Sequence, residues 1–239
     1  MTAFAIPPST LCEIISGRPD PDGSVYLSVG ENCANGMDAL LADSGLHLAR
    51  FTSILDFGCG VGRVIRHVHS LTPAELFGND INPQLIEWCR LHLPFARFSV
   101  SPSVPPLDYD DATFDFIYAF SVFSHLSEPQ QHLWLDELRR VLRPHGCLLL
   151  TTHGRAYVDV LLESDHARRF ADNELVVFNP DYSGFAAHYG ECNAFHPEGY
   201  LRGAIERQGL EVVSFKPGRL IDREKRIIGQ DMWLVRKGN

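Results

Sequence analysis

The chain has 239 residues, of which 45% are hydrophobic and 21% charged, a balance that supports one packed interior and excludes wholesale disorder. Its formal charge of −9 and pI near 5.6 supply no basic face for neutralising phosphates, so a nucleic-acid partner is not expected. Cys12, Cys33, Cys59, Cys89, Cys147 and Cys192 form no C-x-x-C pair, no apolar run approaches the ~20 residues of a bilayer span, and the first ten residues lack a basic-then-apolar leader; reduced thiols, no membrane association and a cytoplasmic location are the expectations.

Residues 1–50 begin rich in proline and glycine (Pro7, Pro8, Gly17, Pro19, Pro21, Gly23). They then predict a helix over 36–48, with Met37, Leu40, Leu41 and Leu48 on one face, and read as an N-terminal cap. The apolar run 53–57, stopped by glycines, suits a strand buried on both faces. A helix over 61–69, a strand over 75–80 and a helix over 82–92 follow; Asn82 caps the last and Pro83 fits its first position. Strands are predicted at 96–99 and 114–120. Trp134, Leu135, Leu138, Val141 and Leu142 stripe a helix over 129–142, and a leucine-rich strand spans 147–152.

Strand and helix thus alternate every 10 to 15 residues, the rhythm of right-handed βαβ crossovers and a parallel sheet. The rhythm stops at His153. Residues 153–196 hold aromatics, glycines and histidines without sustained periodicity and are too long for a plain connection, so they read as a substrate or lid insertion. Residues 197–239 return to order with a helix over 197–208 and strands over 210–215 and 230–236. The whole is one domain: cap 1–50, core 51–152, insertion 153–196, terminal core strands 197–239.

Chemistry concentrates in Asp56-Phe57-Gly58-Cys59-Gly60-Val61-Gly62-Arg63, between the first strand and the next helix. Glycines there allow a tight turn and close approach of a ligand to the backbone. The third glycine follows the second by two residues, whereas the dinucleotide fingerprint needs three and finds Arg63 instead. Asp56 stands at one strand end and Asp80 at the next, where a carboxylate can accept hydrogen bonds from two ribose hydroxyls. Alternatives are a ligand-free turn or a nicotinamide site. Asp115 reads as a strand-entry residue rather than an acid catalyst.

Residues 54–64 resemble motif I of the class I S-adenosylmethionine-dependent methyltransferases, and Gly78-Asn79-Asp80-Ile81-Asn82 resembles their motif II. The likeness continues through Phe114-Asp115-Phe116-Ile117-Tyr118, Ser121-Val122-Phe123-Ser124-His125-Leu126 and the helix and strand around Arg143-Pro144-His145-Gly146. Thr151-Thr152-His153-Gly154 and Gly229-Gln230-Asp231-Met232-Trp233 are similar to segments of a bacterial branch. The resemblance implies a doubly wound, mostly parallel seven-stranded sheet with an N-terminal helical leader and an insertion after the fifth strand, and S-adenosylmethionine as cofactor. It implies that Gly58, Cys59, Gly60 and Gly62 form the cofactor loop, that Asp56 orders it or meets the methionine amine, that Asp80 holds the ribose and Ile81 the adenine, that Ser101 lies near the adenine amine, and that Phe120 and Ser121 border the methionine.

His125 and His153 follow strands at the sheet edge where such folds place ligands, and either is a candidate to orient or deprotonate an acceptor, the other reading being structural. Tyr26, His188, Tyr189 and His196 are candidate acceptor contacts. The eleven histidines show no H-E-x-x-H spacing, and no catalytic metal is expected. The expected activity is methyl transfer to the oxygen or nitrogen of a small polar acceptor, a sugar or secondary metabolite. A non-catalytic cofactor-binding regulator and a protein methyltransferase are the alternatives. The sequence leaves the oligomeric state open.

Overall fold

The computed structural model describes residues 4–161, 163–178, 192–222 and 227–239. Its centre is β1 (Ser53–Phe57), buried at all five positions. Around it lie β2 (Glu75–Asp80), β3 (Ala96–Val100), β4 (Phe114–Ala119), β5 (Leu142–Thr152), β8 (Leu210–Lys216) and β11 (Asp231–Lys237). They form a seven-stranded sheet of order β3-β2-β1-β4-β5-β11-β8. Pairings from β3 through β5 are parallel, and β11 runs antiparallel to both β5 and β8. The mostly parallel, doubly wound sheet expected from the sequence is therefore present.

Alternation along the strands divides the core in two. Ile54, Phe116, Tyr118, Leu149 and Leu234 join one apolar cluster, while Leu55, Ile117, Leu148, Leu150 and Trp233 join another. The first is covered by α2 (Ser24–Asp43), α3 (Ile65–Val68) and α4 (Pro83–His92); the second by α5 (Glu128–Val141) and the helix Glu198–Arg207, numbered α8 below. Each fully buried leucine, isoleucine or phenylalanine contributes about 1.5–3 kcal/mol, so helices on both faces are what these strands require.

Several boundaries follow the sequence closely. Asn82 Oδ1 accepts the Gln84 N–H at 3.0 Å and starts α4 as its composition predicts. Asp115 receives the backbone amides of Thr52 and Ser53 at 2.8 and 3.0 Å, fixing the entry to β1. Elsewhere the chain departs from expectation. The helix predicted over 36–48 starts at Ser24, because Tyr26, Gly30 and Ala34 extend its buried face about three turns toward the N-terminus. The Pro/Gly-rich leader contains α1 (Ser9–Ser16), and the helix predicted over 61–69 is regular only through α3. Residues after His153 include α6 (Arg155–Leu161), α7 (Ser164–Ala171) and a two-stranded sheet of β6 (Val176–Phe178) with β7 (Asn193–Phe195). A further small pair joins β9 (Leu220–Asp222) to β10 (Ile227–Ile228).

Two contacts fasten α2 to the glycine turn. The Tyr26 hydroxyl donates to the Val61 carbonyl at 2.9 Å, and Gly30 lets the helix backbone come against the Arg63 carbonyl, where a Cβ has no room. Among the described residues no helix is long and apolar enough to cross a membrane.

Candidate functional site

The chain turns back after β3 so that β4 lies on the opposite side of β1 from β2. Such a switch point opens a crevice at the carboxyl ends of the strands. Here it is a cavity of about 250 Å³. Its floor is the turn after β1, from Asp56 to Gly60. One wall carries Asp80, Ile81, Ser101 and Ser103; the other carries Phe120, Ser121, Val122 and His125. Ile15 reaches in from α1, and Gln130 and Trp134 from α5.

The glycines are needed for shape. Gly58 and Gly60 have φ of +76° and +56°, and a Cβ on Gly58 would run into the Val122 side chain, one on Gly60 to 2.9 Å from Ile15 Cγ2. The two walls thus close onto a bare backbone. Cross-strand hydrogen bonds hold the turn: Gly58 and Cys59 donate to the Asn79 carbonyl at 2.9 and 2.8 Å, and Gly60 donates to Asp80 Oδ2 at 2.9 Å. Asp80 Oδ1 accepts the Asn82 N–H at 2.9 Å. Burial pushes Asp80 up to about 6, those two amides moderating it.

Asp56 is 2% exposed and its Oδ2 has no hydrogen-bond partner. Burial pushes its carboxyl up to about 8; the Tyr118 hydroxyl and the Arg63 guanidinium pull the other way, while Asp80 adds to the rise. Arg63 is half-buried on the cavity wall and forms no ion pair with a described residue. On the opposite side burial shifts the His125 imidazole downward from its ordinary range, and a hydrogen bond from its ring to the Cys192 backbone opposes the shift. That bond fixes one nitrogen as donor, so in the neutral ring the other carries the lone pair.

The cavity gathers Asp56, Gly58, Cys59, Gly60, Asp80, Ile81, Ser101, Phe120, Ser121 and His125 from the residues singled out in the sequence. Others need correction. Gly62 is off the cavity, its missing Cβ making room for the Leu93 side chain. Tyr26 is 3% exposed in the core and serves Val61, so it touches no acceptor. His196 is fully buried, with Nε2 3.1 Å from Gln131 Oε1; the Gln131 amide donates in turn to the Leu126 carbonyl at 2.9 Å and props the segment bearing His125. His153 lies outside the cavity, stacked on Tyr157 at 4.1 Å and edge-on to His125 at 6.1 Å, and burial with the two neighbouring histidines holds it well below the usual imidazole range. His188 and Tyr189 lie outside the described residues.

Sequence reasoning overlooked Arg63 as a cavity residue, although a cation directly after the glycine turn was a readable signal. Ile15, Gln130 and Trp134 come from other elements and had none.

Residues 54–146 match the family described as "Methyltransferase domain". Among curated proteins, the chain is 33% identical over 96 residues to a probable phthiotriol/phenolphthiotriol dimycocerosates methyltransferase 2 of Mycobacterium ulcerans (39% of this chain, 36% of that protein). It is 30% identical over 182 residues to the tRNA N(3)-methylcytidine methyltransferase Mettl2 of Drosophila melanogaster (72% and 52%). The match spans only a third to a half of the length of these relatives. Among solved structures, magnesium protoporphyrin IX methyltransferase of Synechocystis with bound S-adenosylhomocysteine superposes with a TM-score of 0.61 at 14% identity, covering 95% of this chain and 92% of that one, a likeness of fold.

Proposed function

Because the chain belongs to the class I S-adenosylmethionine-dependent methyltransferases, we propose that it transfers a methyl group from that cofactor to the oxygen or nitrogen of a small polar acceptor, a sugar or another secondary metabolite. The observation that carries this reading is the cavity itself, in which the Asp80 carboxyl, tied to the glycine turn, lies on one wall and His125 on the other across the switch point.

The residues present fit the cofactor. Among the described residues each Asp80 oxygen accepts one hydrogen bond, leaving lone pairs for two ribose hydroxyls. Ile81, 47% exposed, offers an apolar surface to a purine. Asp56 Oδ2, unpartnered among the described residues, can accept a hydrogen bond from an ammonium group, and Arg63 suits a carboxylate, the two polar ends of a methionine moiety. Bound there, the cofactor supplies an electrophilic methyl carbon on a sulfonium sulfur.

The chain's own work is alignment and one proton. Holding acceptor and donor in line supplies on the order of 7–11 kcal/mol when the geometry is right. His125 takes the proton that the acceptor oxygen or nitrogen loses as its bond to carbon forms, and passes it to solvent; the products are the methylated acceptor and S-adenosylhomocysteine. The relatives' names cover lipids and tRNA, so the acceptor rests on other grounds: a charge of −9 opposes a polyanionic one.

Calorimetric titration with S-adenosylmethionine, followed by S-adenosylhomocysteine release in the presence of acceptor panels, tests this. Binding with release only when a hydroxylated or aminated small molecule is added supports it. Binding without release from any acceptor favours a non-catalytic regulator, and absence of binding removes the reading.

A further inference from the structure

Ser121 has a left-handed backbone, φ +57°, which is unfavourable for a residue with a Cβ and is kept only where the surroundings impose it. It is the residue at which the cavity wall turns away from β4, between Phe120 and Val122. A network of three hydrogen bonds joining Ser121, Thr151 and Gln230 imposes the turn. The Ser121 N–H donates to Thr151 Oγ1 at 2.9 Å, the Thr151 hydroxyl donates to Gln230 Oε1 at 2.6 Å, and the Ser121 hydroxyl donates to the same Gln230 oxygen at 3.0 Å. Thr151 is buried near the end of β5, and Gln230 immediately precedes β11. Gln230 is itself set by its neighbour, since Asp231 Oδ1 receives the Gly218 N–H at 2.7 Å and its carboxylate fills the space beside Gly154.

The consequence reaches the cofactor turn. Val122, thrown inward by the left-handed residue, is the side chain that occupies the space a Cβ on Gly58 would need. The clamp also spends the only hydroxyl proton of Ser121 on Gln230, so that this oxygen offers the cavity lone pairs alone and suits a cationic or N–H group.

We propose that Gln230 and Thr151, neither of which lines the cavity, are positioning residues that hold Ser121 in its left-handed turn and thereby fix the Val122–Gly58 wall and the acceptor-only polarity of the Ser121 hydroxyl. The proposal rests on the cofactor reading above.

A calorimetric cycle with S-adenosylhomocysteine as probe tests it. Thr151→Val and Gln230→Met each weaken binding about tenfold, the scale set by the cost of the left-handed turn. Gln230→Glu keeps an oxygen able to accept both hydroxyls and stays within about threefold of wild type. In a Ser121→Gly background, where glycine adopts the turn unaided, Thr151→Val and Gln230→Met cost less than about twofold. Melting temperatures identify a variant that fails to fold; should buried Thr151→Val fail, the half-buried Gln230→Met in both backgrounds decides. Full-strength losses in the glycine background, or variants indistinguishable from a wild type that binds, overturn this inference alone. A wild type that ignores the probe overturns the functional reading and this inference with it.

Discussion

The Gly60 N–H donates to Asp80 Oδ2 at 2.9 Å, so the floor of the crevice is tied to its acidic wall by the same carboxyl proposed to hold the ribose. Asp80→Asn removes the charge and leaves an amide to face an N–H. Its affinity for S-adenosylhomocysteine should fall about 10- to 100-fold, the range for a charged hydrogen-bond acceptor. Burial pushes the wild-type carboxyl up to about 6, and binding favours the ionised form. Wild-type affinity should therefore rise as pH climbs through about 6, while Asp80→Asn stays flat; calorimetry on both proteins across that window reads the difference. A flat wild-type profile would remove the ionised Asp80 from the binding step.

Asp56 bears on stability. Its folded pKa, about 8, lies above the ordinary carboxylate value of 3.8, so between these pH values the native protein holds a proton that the unfolded chain has released. Its contribution to stability is complete below the unfolded value and is lost as pH rises through the folded one. Asp56→Asn removes that loss. Without ligand, the variant should melt above wild type at pH 8.5 and converge with it near pH 4, each kcal/mol appearing as about 2–4 °C in a chain of this size. A constant offset across the scan would mean that packing rather than ionisation separates the two proteins.

Gly58→Ala combines two faults, a left-handed φ of +76° and a Cβ driven into the Val122 side chain. Relieving the second with Val122→Ala leaves the first, worth about 1–2 kcal/mol. Urea denaturation should rank the proteins wild type, Gly58→Ala/Val122→Ala, then Gly58→Ala in falling stability, with probe binding lost in the single variant. Equal stability of the single and double variants would show that the turn opens away from Val122.

What the sequence disclosed and what it hid have a common physical cause. Asp80, Asn82 and Pro83 are legible because a strand end, a cap and a first helical turn are local events, each fixed by the residue's own chemistry; so is the glycine turn, whose residue types answer to backbone conformation. Tyr26 and His196 look like pocket residues in sequence because aromatic polar side chains carry no local sign of whether they face a ligand or a backbone partner. Here Val61 and Gln131 settle the matter from 35 and 65 residues away. The roles of Ile15, Gln130 and Trp134 depend on how whole helices pack across the crevice, and those of Thr151 and Gln230 on two residues 79 positions apart being brought together where β5 and β11 pair.

His125 is the cavity histidine, and His153 and His196 stand behind it. If it removes a proton from the acceptor, His125→Gln should lower kcat about 10²- to 10⁴-fold and leave S-adenosylhomocysteine affinity within about threefold. His153→Gln should instead act mainly on stability, because its ring stands behind His125 and does not itself line the cavity. Burial shifts the His125 pKa downward, so the acid limb of the wild-type rate profile should lie below the usual imidazole value near 6.5. An acid limb that persists in His125→Gln would assign the proton to another group.

Arg63 distinguishes a cofactor site from a generic purine pocket. It lies on the cavity wall, its charge pulls the Asp56 pKa downward, and no ion pair with a described residue engages its guanidinium. A half-buried guanidinium without a fixed partner is poised for a bidentate anion, and an amino-acid carboxylate matches its fork. Arg63→Met keeps the length and apolar stem but removes the charge. S-adenosylhomocysteine affinity should then fall about tenfold or more, in line with 1.5–3 kcal/mol for a charged hydrogen bond. Adenosine and methylthioadenosine, which share the nucleoside but lack the carboxylate, should bind wild type and variant alike. Losing all three ligands equally would mean that Arg63 shapes the turn instead of reading the methionine end; losing none would place the carboxylate elsewhere.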